Sequence, residues 1–134
     1  PPWAVAKSFD ENNVNSFRRN TKAIASLSKA FGAKPVLVKW ECDWEKNYIP
    51  PYYAGSNGEA KRALFLNYLE ANTQAQKSVA DEIGCLYLEV GPFDRQSFFD
   101  GIHFSESGLN QMAERLADNI LHEIQLDSSN STSP

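Results

Sequence analysis

The chain has 134 residues, 42% of them hydrophobic, 22% charged and 12% aromatic, a balance typical of a globular domain with room for one core. Thirteen basic against seventeen acidic side chains leave a net charge of −4 with no basic run. That speaks against a nucleic-acid partner and gives no reason for attraction to an anionic membrane. No apolar stretch approaches the roughly 18 residues that a membrane span needs.

The opening "PPWAVAKSF" carries neither a methionine nor a charged-then-apolar signal pattern. It reads as the start of a processed product or a fragment, from which targeting information could have been lost. Val14, Phe17, Ile24, Leu27 and Phe31 then recur at helical spacing, with Asn12 or Asn13 as cap and Gly32 as stop. "PVLVKW" (35–40) predicts a short strand, with Pro35 at the edge where a strand tolerates it. A second helix is predicted over 59–83. Leu64, Ala71, Ala75, Val79 and Ile83 lie along one face of it, and Gly84 ends it. "CLYLEV" (85–90) predicts the second strand. A loop over 91–104 leads to a third helix, capped by Ser105, with Leu109, Ala113, Leu116, Ile120 and Ile124 inward. The Ser-rich end, 127–134, is expected to be disordered. Its Asn130-Ser131-Thr132 is a glycosylation acceptor pattern only in a protein secreted from a eukaryotic cell.

Helix–strand–helix–strand–helix implies parallel strands joined by a right-handed crossover, an α/β arrangement with helices covering the sheet. Two strands alone leave faces and edges uncovered. The pattern therefore reads as part of a doubly wound domain over residues 1–126, with its N-terminal strands missing. Cys42 and Cys85 fall at opposite ends of the predicted sheet, too far apart to bridge, and read as free thiols.

In an open parallel sheet, ligands bind beyond the carboxyl ends of the strands. Two loops leave such ends, 41–58 and 91–104. Asp100 and His103 lie in the second, at the entrance to the last helix. Three residues apart in a turn, the carboxylate can take the imidazole Nδ1–H and leave Nε2 free as a base. The alternative is structural: Asp100-Gly101 is a good turn dipeptide, and the aspartate could simply satisfy backbone donors. The only other histidine, His122, lies well along the last helix. No His/Cys cluster has metal-ligand spacing, so neither metal nor cofactor is expected.

"FFDGIHFSESGLNQMAERLADNIL" resembles the C-terminal block of the SGNH, or GDSL-type, hydrolases, in which a D-x-x-H precedes a short polar stretch, a glycine and an apolar helix. The matching residues are Asp100, His103, Gly108 and the helix bearing Leu109, Met112, Ala113 and Leu116. Upstream, the helix to Phe31 with "GAKPVLVKW", and the helix over 59–83 with "GCLYLEV", resemble the two preceding helix–strand units. The resemblance covers about Val14 to Ile124. It implies a three-layer, flavodoxin-like doubly wound sheet and a serine esterase in which Asp100 orients His103. It also implies a small ester or O-acylated carbohydrate as substrate, and leans towards a secreted or periplasmic location. The family's nucleophile motif G-D-S and its G-x-N-D are absent from these 134 residues. On this reading the chain is a C-terminal fragment, inactive alone, whose partner is the missing N-terminal half of the same domain.

Neither candidate serine fits. Ser8 has no preceding Gly-Asp, and "AGSNG" (54–58) places Ala54, not glycine, two residues before Ser56. Trp44, Tyr48, Tyr52 and Tyr53 crowd the other loop and could wall a substrate, whereas Trp40 is expected to pack. Glu41, Asp43 and Glu45 read as solvated acids and Arg95 as an exposed loop arginine. Phe98, Phe99 and Phe104 are expected to bury themselves and hold the Asp-His loop. The runner-up reading is a non-catalytic α/β carbohydrate-binding or interaction module in which D-x-x-H is a turn.

Overall fold

A computed structural model describes residues 8–43 and 58–130. Helix α1 (Glu11–Ala30) opens at Asp10, whose backbone is extended and whose carboxylate accepts the Asn12 amide at 2.9 Å. The carboxylate satisfies a first-turn donor that has no partner within the helix. The cap is thus Asp10, and the expected caps Asn12 and Asn13 lie inside the helix. At the far end Gly32 takes φ +80° and donates to the Lys29 carbonyl at 2.9 Å, the left-handed stop that a residue without Cβ permits. Strand β1 (Val36–Val38) follows α1. Helix α2 (Gly58–Ile83) leads through Gly84, at φ +66°, to strand β2 (Leu86–Leu88). The strands pair as a two-stranded parallel sheet, so the α/β class stands. Both are shorter than the sequence runs of 35–40 and 85–90, because each has a single hydrogen-bonded neighbour among the described residues.

These elements form two compact units. In the first, α1 packs on α2, with Ala25 buried on α1 and Thr73, Ala75, Val79 and Ala80 buried on α2. Small side chains at these positions let the helix axes approach closely. Lys29 Nζ donates to the Ile83 carbonyl at 2.6 Å, closing the end of α2. Glu82 pairs with Lys22 and, at 2.7 Å, with Arg18. The Lys22 hydrogen bond is the main reason its carboxyl titrates below the ordinary glutamate value. Facing α2 with Ala25 turns Ile24, Leu27 and Phe31 outward, and Phe31 is 82% exposed.

The second unit holds residues 41–43, the end of β2, a single 3-10 turn (Arg95–Ser97) and helix α3 (Glu106–Asn130). Leu88, Val90 and Phe98 are buried in it. On α3 the expected inward face is only partly correct. Leu116 and Ile120 are half-buried, but Leu109, Ala113 and Ile124 are exposed. The reason is local: Gly108 is the buried position in the first turn, and it sets the helix face one residue away from Leu109. Helix α3 also runs to Asn130, four residues past the boundary drawn by composition at 126. Adding a turn to an existing helix costs far less than nucleating one, so a polar Asp-Ser-Ser-Asn segment can continue it.

Candidate active site

The loop that carries Asp100 and His103 is a short antiparallel ribbon. The Ser105 amide donates to the Ser97 carbonyl at 2.9 Å and the Phe99 amide to the His103 carbonyl at 2.8 Å. Between those bonds Phe98 and Phe104 lie directly opposite. Such non-hydrogen-bonded pairs bring side chains closest, and the two rings stack with centroids 4.6 Å apart. Phe93 meets both edge-on, at 6.3 and 5.0 Å. At the tip Gly101 takes φ +82°, and its carbonyl accepts the Asp43 amide at 2.8 Å. The Asp-Gly dipeptide was the sequence signal for this turn, and the flanking phenylalanines are what lock it.

Helix α3 begins against the ribbon. Ser105 caps it as expected: its Oγ accepts the Gly108 amide at 3.2 Å and donates to the Gln96 carbonyl at 3.0 Å. Gly108 sits so close to the ribbon that a Cβ there would overlap the Ser97 carbonyl oxygen. Two turns on, Arg115 donates to the carbonyls of Val90 at 2.9 Å and Pro92 at 2.6 Å, with its guanidinium 4.5 Å from the centre of the Phe93 ring. Nothing in the sequence marked Arg115, because an arginine on a helix usually faces water. Arg115→Ala removes two hydrogen bonds and a cation–π contact. It is expected to cost about 2 kcal/mol of stability in chemical denaturation.

Asp100 gathers three donors. Its Oδ1 accepts the amides of Ile102 at 3.1 Å and His103 at 2.9 Å, and its Oδ2 takes the His103 Nδ1–H at 2.8 Å. The backbone amide of His103, followed by its imidazole, holds the Asp100 carboxyl down to about 2, from an ordinary 3.8. The aspartate is therefore a carboxylate throughout the neutral range. It fixes the imidazole tautomer with the proton on Nδ1, which leaves the Nε2 lone pair free. The His103 side chain is 74% exposed, and its Nε2 has no hydrogen bond among the described residues. Chemically, this is a base aimed outward and oriented by a charge.

The other named residues divide. Trp44, Glu45, Tyr48, Tyr52, Tyr53 and Ser56 lie outside the described residues, as do the last four residues of the Ser-rich end. Trp40 packs edge-on against Phe65 at 5.4 Å, although it stays partly exposed. Two expected solvated acids are not solvated. Glu41 is only 8% exposed, with its carboxyl against the backbone of Gly91, and the Asp43 side chain is 11% exposed. The turn that ties the Asp43 amide to Gly101 draws this segment in. Arg95 lies 3.8 Å from the Asp43 carboxylate and donates to the Phe98 carbonyl at 3.1 Å, so it braces the ribbon. Of Phe98, Phe99 and Phe104, Phe99 is the exception, with its ring exposed.

Neither Cys42 nor Cys85 is in a disulfide. Among the described residues no three His, Cys, Asp or Glu side chains could hold a metal ion, and no helix is long and apolar enough to cross a membrane. No family model and no curated protein matches the chain.

Proposed function

We propose that Asp100 and His103 are the orienting acid and general base of a serine ester hydrolase of the SGNH type, whose nucleophile lies outside these 134 residues. The observation that carries this reading is the 2.8 Å bond from His103 Nδ1 to Asp100 Oδ2, with Nε2 left open. The resemblance of the segment from Phe98 to Leu121 to that family's last block supports it, and with it a flavodoxin-like, three-layer sheet built with further strands.

In this reaction His103 Nε2 takes the proton of the serine hydroxyl as its oxygen attacks the ester carbonyl. His103 then returns a proton to the departing alcohol. Asp100 stabilises the imidazolium formed in between. Water repeats the sequence on the acyl-serine. Donors that hold the oxyanion accompany the serine and supply much of the rate. The substrate class is a small ester or an O-acylated carbohydrate.

The test is to express the chain together with the coding sequence upstream of Pro1 and measure hydrolysis of acetate esters. Turnover is expected only in that longer form, and His103→Ala should reduce it by about 10⁴ or more. Turnover by the 134 residues alone, or full turnover with His103→Ala, defeats the proposal.

A second reading has its own observation. The two bonds from Asp100 Oδ1 to the Ile102 and His103 amides are those of an ordinary aspartate turn. On that reading the loop is structural and the domain binds without catalysis. An upstream sequence lacking a Gly-Asp-Ser after an apolar strand favours it.

A further inference from the structure

We infer that Phe99 contacts the alcohol half of the ester and favours a ring-bearing alcohol, an assignment that rests on the serine hydrolysis proposed above. Phe99 and His103 stand opposite each other across the ribbon, joined by the bond from the Phe99 amide to the His103 carbonyl. The adjacent pair, Phe98 and Phe104, turns its stacked rings the other way, and Phe98 is 5% exposed. Successive pairs in an antiparallel ribbon face opposite sides, so Phe99 shares a face with His103. Phe99 is 74% exposed. Of the three phenylalanines in "FFDGIHF", packing accounts for two, and the third lies beside the base.

The direction of proton transfer identifies which half of the substrate meets it. The bond from serine oxygen to acyl carbon forms, and the bond from acyl carbon to alcohol oxygen breaks. The proton passes from the serine to His103 Nε2 and on to that alcohol oxygen. The departing alcohol must therefore lie against the imidazole, while the carbonyl oxygen faces its own donors. A flat apolar ring next to the imidazole meets the alcohol. Such a surface gains most from a flat partner, either an aryl ring or the C–H face of a pyranose.

The experiment uses the serine-bearing protein and three acetate esters: ethyl acetate, benzyl acetate and a methyl 6-O-acetylglucopyranoside. Each has a poor leaving group that needs the proton from His103. Phe99→Ala should lower the kcat/KM ratio of the ring alcohols over ethyl acetate by roughly tenfold, the scale of an aromatic contact, and Phe99→Trp should preserve it. A fall confined to benzyl acetate assigns an aryl alcohol, and one confined to the glucoside assigns a sugar. Phe99→Leu keeps apolar bulk without the flat face and should show the same selective fall. An unchanged ratio overturns the inference, as does an equal loss on all three esters. So does a changed ratio when the acyl group is varied instead, as between benzyl acetate and benzyl butyrate. His103→Ala separates the two levels: if it leaves turnover intact, the underlying hydrolase reading fails, whatever Phe99 does.

Discussion

On the hydrolase proposed above, Asp100→Asn in the longer, serine-bearing form is expected to lower kcat by about 10⁴, the scale associated with converting an orienting carboxylate to its amide in a triad. The substitution preserves shape. Its oxygen can still accept the amides of Ile102 and His103, so the turn should persist. What changes is the group facing His103 Nδ1. An amide NH₂ there donates instead of accepting, selects the opposite tautomer, and places the proton on Nε2, where the base is needed. Steady-state kinetics checks this, and the imidazole nitrogen shifts of His103 should report the exchanged tautomer.

A stability effect accompanies it and has a defined pH window. Because the folded carboxyl titrates at about 2 and the unfolded one near 3.8, its contribution is fully present above pH 4 and is lost as pH falls towards 2. For a group this close to solvent, about 1 kcal/mol is the appropriate size after screening. The difference in unfolding free energy between the protein and its Asp100→Asn variant should shrink as pH falls from 4 to 2. A difference that grew across that acid window would contradict the bonding at Asp100.

Gly108→Ala is expected to destabilise the chain by about 2–3 kcal/mol, a fall in Tm on the order of 10 °C. The added methyl meets the Ser97 carbonyl oxygen, which is backbone and already accepts the Ser105 amide. Neither the helix nor the ribbon can yield without breaking that bond or the cap from Ser105 to Gly108. A control at the neighbouring exposed position, Ser107→Ala, should stay within about 0.5 kcal/mol. Thermal unfolding of the 134-residue chain suffices for both. A Gly108→Ala protein with an unchanged Tm would mean that α3 does not lie against the ribbon in this way.

Much of this arrangement was legible in the residues. Period-3.6 patterns, glycine stops at 32 and 84 and the Ser105 cap located three helices, because each depends on a side chain and its own backbone. Asp100 and His103 were legible for the same reason, their spacing being short enough for a turn to join them. What the residues concealed depends on partners distant in sequence. The outward turn of Ile24, Leu27 and Phe31 follows from α1 presenting Ala25 to α2, and periodicity cannot say which of two apolar stripes a neighbour will cover. The burial of Glu41 follows from its position against Gly91, fifty residues later. Arg115 has no local signature at all. Phe99 was grouped with Phe98 and Phe104 by composition, and only the pairing across the ribbon separates them.

The bonds that define the Asp100–His103 pair span at most three residues, and the ribbon around them closes within nine. Closing loops that short costs little chain entropy and takes well under a microsecond. The bonds that set the tautomer and direction of the His103 imidazole are therefore local, and they can form without a partner from a distant part of the chain.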